Sequence, residues 1–258
     1  MTSASLTSPA PGRTRRDIDT WSLAIAAVLV ASGVFHLLVF AVDDRPWEGP
    51  VSWRKPFTFG EAFGITLATV AWVSRPLAIS SRRRAVLLGV FAADSVVEVA
   101  GITLQAWRHV PSHLNTSTPF NSAVAAVLAA GGAVLVAVLG TFAVIAVTRP
   151  VDTTPDRALA IRAGWVFLVA GLLSGAAMIA VGTVAKRTGT LAHAYAVTGF
   201  LKGFHGLTIH ALLTLPALAW ALERMNVTPA RRYRAVVGAV ALIAAAAAVL
   251  LVVEIEGV

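Results

Sequence analysis

Long apolar runs separated by short polar stretches dominate the hydrophobicity pattern of this chain. A helical run of about 20 apolar residues matches the hydrocarbon thickness of a bilayer, whereas a membrane-spanning β-strand needs only about ten residues of alternating polarity. The pattern therefore predicts an all-α polytopic membrane protein, a bundle of seven transmembrane helices. The predicted spans are 21–42, 57–75, 84–107, 120–148, 160–184, 196–222 and 233–253.

The N-terminal segment differs from the rest of the chain. Residues 1–20 carry Ser, Thr, Pro, Gly and Arg without an apolar period, which predicts a flexible cytoplasmic tail. The run over 21–42 is too long for the core of a signal peptide and lacks a convincing cleavage site, so we interpret it as the first span. Residues 21–258 then form a single transmembrane domain.

Composition agrees with lipid as the main solvent. Of the 258 residues, 57% are hydrophobic and 13% are charged, and the mean hydropathy is +0.77. Because soluble domains carry about 25% charged residues, a soluble enzyme and a disordered protein are both poor interpretations. Nucleic acid is not an expected partner, since most basic residues fall in short loops between apolar runs. The absence of cysteine excludes disulfides, thiolate metal sites and cysteine nucleophiles.

Charge and tryptophan positions predict the orientation. With the N-terminus inside, the tail and the inner loops collect 14 of the 21 Lys and Arg residues. All seven Trp residues lie at or near a predicted span end, as an interfacial aromatic belt requires. We therefore predict an inside N-terminus and an outside C-terminus. The strong preference for Arg over Lys indicates a bacterial source, and so a bacterial cytoplasmic membrane.

The third span carries a polar stripe. At 100° per residue, its five polar or small members fall within an arc of about 80°. Each ionised group at the bilayer centre costs about 2.5–3.5 kcal/mol, so the stripe is expected to face the bundle interior. It either lines a functional cavity or forms interhelical hydrogen bonds with one carboxyl kept neutral. The five residues are Asp94, Glu98, Gly101, Gln105 and Arg108.

Polar residues of several spans share the same predicted depth, in the middle and outer parts of the membrane. The inner half is expected to hold almost nothing comparable, with Asp94 as the nearest case. Two outer loops, near 43–50 and 107–116, are rich in Trp, Pro, Arg, His and Asn. They either border a polar pocket that opens outward or merely cap the bundle. The residues at this depth are His36, Glu61, Glu98, Gln105, Lys202, His205 and His210.

An enzyme acting on a lipophilic small molecule, such as an isoprenoid, a quinone or a lipid, is one function that this pattern fits. A carboxyl kept protonated by desolvation would donate a proton, with a histidine as base or partner, and basic groups would hold an anionic head group. The acid–base candidates are Glu61, Glu98, His36, His205 and His210. The candidates for substrate binding are Arg54, Lys55, Gln105, Arg108 and Lys202.

Other classes of function stay open. Histidines on different helices could bind haem or a metal ion, although His205 and His210 lie about 140° apart on one helix and do not easily share an ion. Asp94, Glu98 and Lys202 are residue types of proton relays, but their position toward one side leaves no obvious route across. An accessory protein without catalysis is the remaining alternative. The sequence leaves the cofactor, any metal and the oligomeric state unknown.

Three local patterns are similar to those of a family of uncharacterised bacterial multi-pass membrane proteins. They are Trp-Arg-Lys-Pro-Phe at 53–57, Gln-Ala-x-Arg…Ser-His-x-Asn…Thr-Pro-Phe over 105–120, and His-x4-His…Leu-Pro from His205 to Pro216. Together they cover under a quarter of the chain. The resemblance implies that these outward-facing motifs belong together, and it supplies no activity.

Overall fold

The structure, a computed structural model, describes residues 11–256. Within that range the chain forms eight helices and no strand longer than the single bridge between Leu77 and Val151. The helices are α1 (Pro11–Phe40), α2 (Arg54–Val73), α3 (Ser81–Trp107), α4 (Pro119–Thr148), α5 (Pro155–Thr188), α6 (Leu191–Val197), α7 (Lys202–Arg224) and α8 (Pro229–Glu256).

Seven of these helices, all except α6, are long and apolar enough to cross a membrane. The all-α class and the seven predicted spans are thereby confirmed for the described residues, while the orientation stays a prediction. Residues 1–10 of the predicted tail lie outside the described residues. The chain is helical from Pro11, ten residues before the first span was expected to begin.

The sixth span differs from its predicted bounds of 196–222. The short helix α6 precedes it, and the membrane helix α7 begins only at Lys202. The Thr190 side chain caps the start of α6, and the Thr198 hydroxyl donates to the carbonyl of Ala194 at its end. Gly199 follows in the turn that separates the two helices. An apolar run of this length therefore conceals a break that hydropathy alone does not resolve.

The helices pack in two groups. Helices α1, α2 and α3 contact one another, and α5, α6, α7 and α8 form the second group. Helix α4 lies between α3 and α5 and joins the groups, whereas direct contact between α2 and α7 is sparse. Glycines bring α1 and α2 almost into backbone contact, because a Cβ added to Gly60 would lie 2.8 Å from the backbone of Gly33.

Helix ends gather at two opposite ends of the bundle. We call the one with segments 41–53, 108–118 and 189–201 the loop-rich end, and the one with segments 74–80, 149–154 and 225–228 the arginine-rich end. Two tryptophans depart from the predicted aromatic belt. Trp53 at the loop-rich end is 1% exposed, and Trp165 is fully buried, where it stacks on Phe142 in the core.

The arginine-rich end holds buried ion pairs that the sequence analysis did not predict. Arg84 is fully buried, and its guanidinium donates to Asp19 Oδ1 at 2.5 Å and to Ser74 Oγ at 2.9 Å. Arg232 of α8 pairs with the buried Asp156 of α5 at 3.3 Å. The two arginines therefore join neighbouring helices by ion pairs, in addition to any effect of their charge on the membrane orientation.

Candidate functional site

His36 lies in an aromatic cluster at the loop-rich end. Its Nδ1 is 2.7 Å from the carbonyl of Ser32, and its Nε2 is 3.1 Å from Nε1 of Trp107. The carbonyl requires a hydrogen on Nδ1, and the indole N–H requires a lone pair on Nε2, so one neutral tautomer satisfies both. The ring also stacks on Trp53, and the Arg45 guanidinium lies over Trp53 at 3.9 Å from its ring centroid. This geometry favours packing over proton transfer for His36.

The two acidic residues of the predicted polar stripe on α3 are buried, as expected, and they face α4. Asp94 is 9% exposed and Glu98 4% exposed, and both carboxylates lie against Gly131 of α4. The Oδ2 atom of Asp94 is buried without a hydrogen-bond partner. Among the described residues, no donor hydrogen-bonds to Glu98 either. The absence of a side chain at Gly131 leaves room for the two carboxyls.

The outer end of the stripe forms a hydrogen-bond network with α4. The Gln105 amide donates to Asn121 Oδ1 at 3.1 Å. An Arg108 amino group donates to Gln105 Oε1 at 2.5 Å and to Asn121 Oδ1 at 2.7 Å. The guanidinium also lies over the ring of Phe120 at 4.5 Å. The Gln105 amide and the Arg108 guanidinium therefore link α3 to α4 by hydrogen bonds. The contact of these two residues with a substrate stays a prediction.

The remaining acid–base candidates lie on separate interfaces. Glu61 of α2 is partly buried against Gly33 of α1. His205 of α7 packs on α5, where its Nδ1 is 2.8 Å from the Gly171 carbonyl, and His210 is exposed. The structure joins no two of the five candidates by a hydrogen bond within residues 11–256. In the same range, no group of three or more His, Asp or Glu residues has a metal-binding arrangement.

Three basic residues do come together at the loop-rich end, and we call Arg54, Lys55 and Lys202 the basic cluster. Lys55 lies in the first turn of α2 and Lys202 begins α7, so the positive charges of both lysines lie at the same end of the bundle. The Lys55 ammonium lies over the ring of Tyr195 in α6, 5.0 Å from its centroid. In the described part of the chain, neither lysine has a carboxylate oxygen within 4.0 Å, since the salt bridges there involve other residues.

Arg54 has only a partial counterion. Its terminal nitrogen is 3.2 Å from Oε2 of Glu48, whose side chain is 69% exposed. Its Nε is buried and has no hydrogen-bond partner. The guanidinium therefore keeps a buried donor that an additional anion could satisfy.

His113 and Tyr195 border the basic cluster without adding charge to it. The Tyr195 hydroxyl donates to the backbone carbonyl of His113. Burial, together with the nearby charge of Lys55, lowers the pKa of His113 to about 4, so this ring is neutral at neutral pH. Burial raises the pKa of Tyr195 above its usual range, which keeps the phenol protonated. The net charge of this region therefore comes from the lysines and Arg54.

The carboxylate of Glu254 lies near this region but is already engaged. It accepts hydrogen bonds from the backbone amides of Gly203 at 2.6 Å and Phe204 at 3.0 Å. These are orphan donors of the first turn of α7, where a negative charge is also favoured by the helix dipole. Glu254 thus caps α7 and forms no ion pair with Lys202.

Two of the predicted motifs meet in this region. The segments 53–57 and 105–120 are in contact, because the ring centroids of Trp53 and Trp107 are 4.9 Å apart. Lys55 of the first segment also lies near His113 of the second. Sequence reasoning missed Tyr195 and Glu254 as neighbours of the site. The only available signal was their position beside predicted span ends at the same side of the membrane.

Comparison with known proteins identifies no family for this chain. No protein-family model matches it, and neither does any curated protein or solved structure.

Proposed function

We propose that the protein binds an amphiphile with an anionic head group at the basic cluster, within the membrane boundary. The observation that carries this proposal is the set of unsatisfied positive groups: the buried Nε of Arg54 has no acceptor, and in the described residues neither Lys55 nor Lys202 has a carboxylate oxygen within 4.0 Å. An anion in contact with both ammonium groups would accept a charge-assisted hydrogen bond from each. Lysine ammonium groups bind phosphate as point charges, and an arginine guanidinium binds it through its planar fork of N–H donors.

Arg54 strengthens the case for an anion. Its buried Nε lacks an acceptor, and leaving a buried charged donor unsatisfied is costly. A head group held by Lys55 and Lys202 would lie near this donor as well. Among the predicted substrate classes, these contacts favour a phosphate-bearing lipid or isoprenoid over a quinone, because a quinone has no anionic head group.

Binding of hexadecyl phosphate to the purified protein in a non-ionic detergent tests this function. Removing one ammonium by Lys55→Gln or Lys202→Gln is expected to weaken binding about tenfold, since one charge-assisted hydrogen bond is lost. Lys186→Gln is the matched control, because Lys186 lies at the same end and donates to Thr116 Oγ1 instead. Equal affinity in all three variants and the unchanged protein would refute the proposal.

Acid–base catalysis on the bound molecule is a second candidate, and the buried Asp94–Glu98 pair favours it. Two carboxyls one helical turn apart, without a donor or counterion, exceed what packing of α3 on α4 requires. The experiment is to incubate the protein with the lipids that co-purify with it and to follow their conversion by mass spectrometry. A catalytic Glu98 requires that Glu98→Gln abolishes a conversion that Glu61→Gln retains. Conversion that survives Glu98→Gln contradicts this role.

We also propose that the loop-rich end faces the outside of a bacterial cytoplasmic membrane. The excess of Lys and Arg in the tail and at the opposite end supports this orientation. Since the chain has no native cysteine, single cysteines can report it without background. In intact cells, a membrane-impermeant maleimide is expected to label Asp44→Cys at the loop-rich end and not Asp152→Cys at the arginine-rich end. The reverse labelling pattern would overturn the orientation.

A further inference from the structure

Arg162 is an exposed arginine inside the membrane helix α5, near the arginine-rich end of the bundle. Its Cα lies about 10 Å along the helix axis from Pro155, the first residue of α5. The Arg162 Nε donates to the carbonyl of Ala146 at 3.2 Å, and its Nη2 donates to the carbonyl of Arg149 at 3.3 Å. Both carbonyls belong to the end of α4, where a helix leaves its carbonyls unpaired. The guanidinium is therefore held between α4 and α5.

Two positive groups with free donors meet at this point, and we call Arg149 and Arg162 the arginine pair. Within the described part of the chain, Nη1 of Arg162 donates to no atom, and the exposed Arg149 guanidinium has no hydrogen bond, ion pair or ring contact. The two side chains start close together, because the Arg149 backbone itself accepts from Arg162. Neither Asp152 nor Asp156 has a carboxylate oxygen within 4.0 Å of these guanidinium groups. The arginine pair can therefore accommodate an anion.

Apolar side chains on the outer surface of the bundle lie next to the arginine pair. On α5, Val166 and Leu173 are exposed, and both fall within about 40° of Arg162 around the helix axis. On α4, Val144 is exposed in the last two turns of the helix, just before Arg149. In a membrane, exposed aliphatic side chains of this kind contact lipid tails. The anion that reaches the arginine pair is thus expected to carry hydrocarbon.

We propose that the arginine pair binds the phosphate of an anionic phospholipid, whose acyl chains lie along the exposed faces of α4 and α5. A guanidinium binds phosphate through its planar fork of N–H donors, and the two backbone contacts already restrict the Arg162 side chain. Two positive charges without a carboxylate favour a lipid of net negative charge over a zwitterionic one. This site lies at the end opposite the basic cluster and does not depend on the proposed function.

Binding of dioleoyl phosphatidylglycerol to the purified protein in a non-ionic detergent tests this site. The readouts are the rise in melting temperature with added lipid and the lipid retained in native mass spectrometry. Arg149→Gln and Arg162→Gln are each expected to weaken binding about tenfold, because a charge-assisted hydrogen bond to the phosphate is lost. Arg82→Gln is the matched control, since Arg82 is exposed at the same end of the bundle but belongs to α3. Its affinity for the lipid should stay unchanged.

Arg149→Gln decides the test if Arg162→Gln impairs folding. Replacing Arg162 also removes two hydrogen bonds at the end of α4, whereas Arg149→Gln keeps the backbone carbonyl that Arg162 uses. Two further ligands separate the parts of the lipid. Dioleoyl phosphatidylcholine has the same chains without net charge and should bind about tenfold more weakly. Glycerol 1-phosphate has the phosphate without the chains and should not raise the melting temperature at the same concentration.

The outcomes separate the arginine pair from the basic cluster. If Lys55→Gln weakens binding of phosphatidylglycerol and Arg149→Gln does not, the lipid binds at the basic cluster and the phospholipid site is wrong. An equal loss in Arg82→Gln would mean that overall charge attracts the lipid, which also overturns the site. Equal affinity for phosphatidylcholine, or equal stabilisation by glycerol 1-phosphate, would overturn it as well. If hexadecyl phosphate fails to bind while binding of phosphatidylglycerol depends on Arg149, the proposed function fails and the phospholipid site stands.

Discussion

The Nε2 atom of His36 accepts a hydrogen bond from the indole N–H of Trp107, and the two atoms are 3.1 Å apart. This contact joins α1 to the end of α3. Because Nδ1 of the same ring donates to the Ser32 carbonyl, both nitrogens of a histidine that is 2% exposed are used within the protein. A buried polar ring satisfied in this way specifies how helices meet, and it has no nitrogen left for a metal ion.

Trp107→Phe tests this role. The change leaves the buried Nε2 of His36 without a donor, which is expected to lower the free energy of unfolding by about 1–3 kcal/mol. Trp21→Phe is the control, since Trp21 is 68% exposed and its change should have little effect. Thermal unfolding in detergent measures both. Equal midpoints for the two variants would show that the hydrogen bond does not contribute to stability.

The sequence allowed the number of membrane helices to be predicted, because a run of apolar residues is a local property that the bilayer thickness selects. It also identified the face of α3 that is buried, since helical periodicity is local as well. The break before α7 was missed because residues 196–222 remain apolar across it.

The grouping of polar residues at one depth was less informative than expected. Depth does not tell which neighbour a side chain faces, so Glu61, Glu98 and His205 share a depth range yet lie on three different interfaces. Partners distant in sequence also escaped prediction. Arg84 and Asp19 are 65 residues apart and pair only because α1 and α3 pack side by side.

Removal of the Arg84 side chain is expected to be among the most destabilising single changes. Arg84→Gln removes the buried partner of Asp19, whose carboxylate then keeps the more exposed Arg75 at 3.0 Å, and breaking a buried pair costs up to about 3–5 kcal/mol. The exposed neighbour Arg83→Gln is the matched control. Asp19→Asn combined with Arg84→Gln should cost less than the sum of the two single changes, because each single change already breaks the same pair. Additive losses in the double variant would contradict a direct pair.

Two adjacent glycines of α4 should respond in opposite ways to alanine. A Cβ at Gly131 would collide with Oε1 of Glu98 and lie 2.9 Å from Oδ1 of Asp94, so Gly131→Ala is expected to cost about 1–3 kcal/mol. A Cβ at Gly132 would meet no atom within 4 Å, so Gly132→Ala should raise stability by up to about 1 kcal/mol through helix propensity. Thermal unfolding distinguishes the two signs, and a Gly131→Ala variant as stable as Gly132→Ala would contradict the expected cost at Gly131.

Stability should fall in mild acid because of His113. The pKa of this ring is lowered from its ordinary value of 6.5 to about 4 by burial and by the charge of Lys55. Between those values the unfolded chain binds a proton that the folded chain excludes, so the free energy of unfolding decreases as pH falls from 6.5 toward 4. His113→Gln should show a smaller decrease in melting temperature over this range than the unchanged protein. The exposed His109→Gln serves as control, and equal slopes for all three proteins would contradict the assignment.

Glu254→Gln is expected to lower the stability of the protein and to raise its affinity for the anionic probe. Loss of the negative charge beside the amides of Gly203 and Phe204 weakens the helix cap and is expected to cost about 1 kcal/mol of stability. The same loss removes one negative charge from the loop-rich end, so affinity for hexadecyl phosphate should increase. Glu256→Gln changes an exposed carboxylate two residues further along α8 and should change neither property. A variant that is less stable and also binds the probe more weakly would show that α7 must be capped for the site to form, and would contradict the electrostatic prediction.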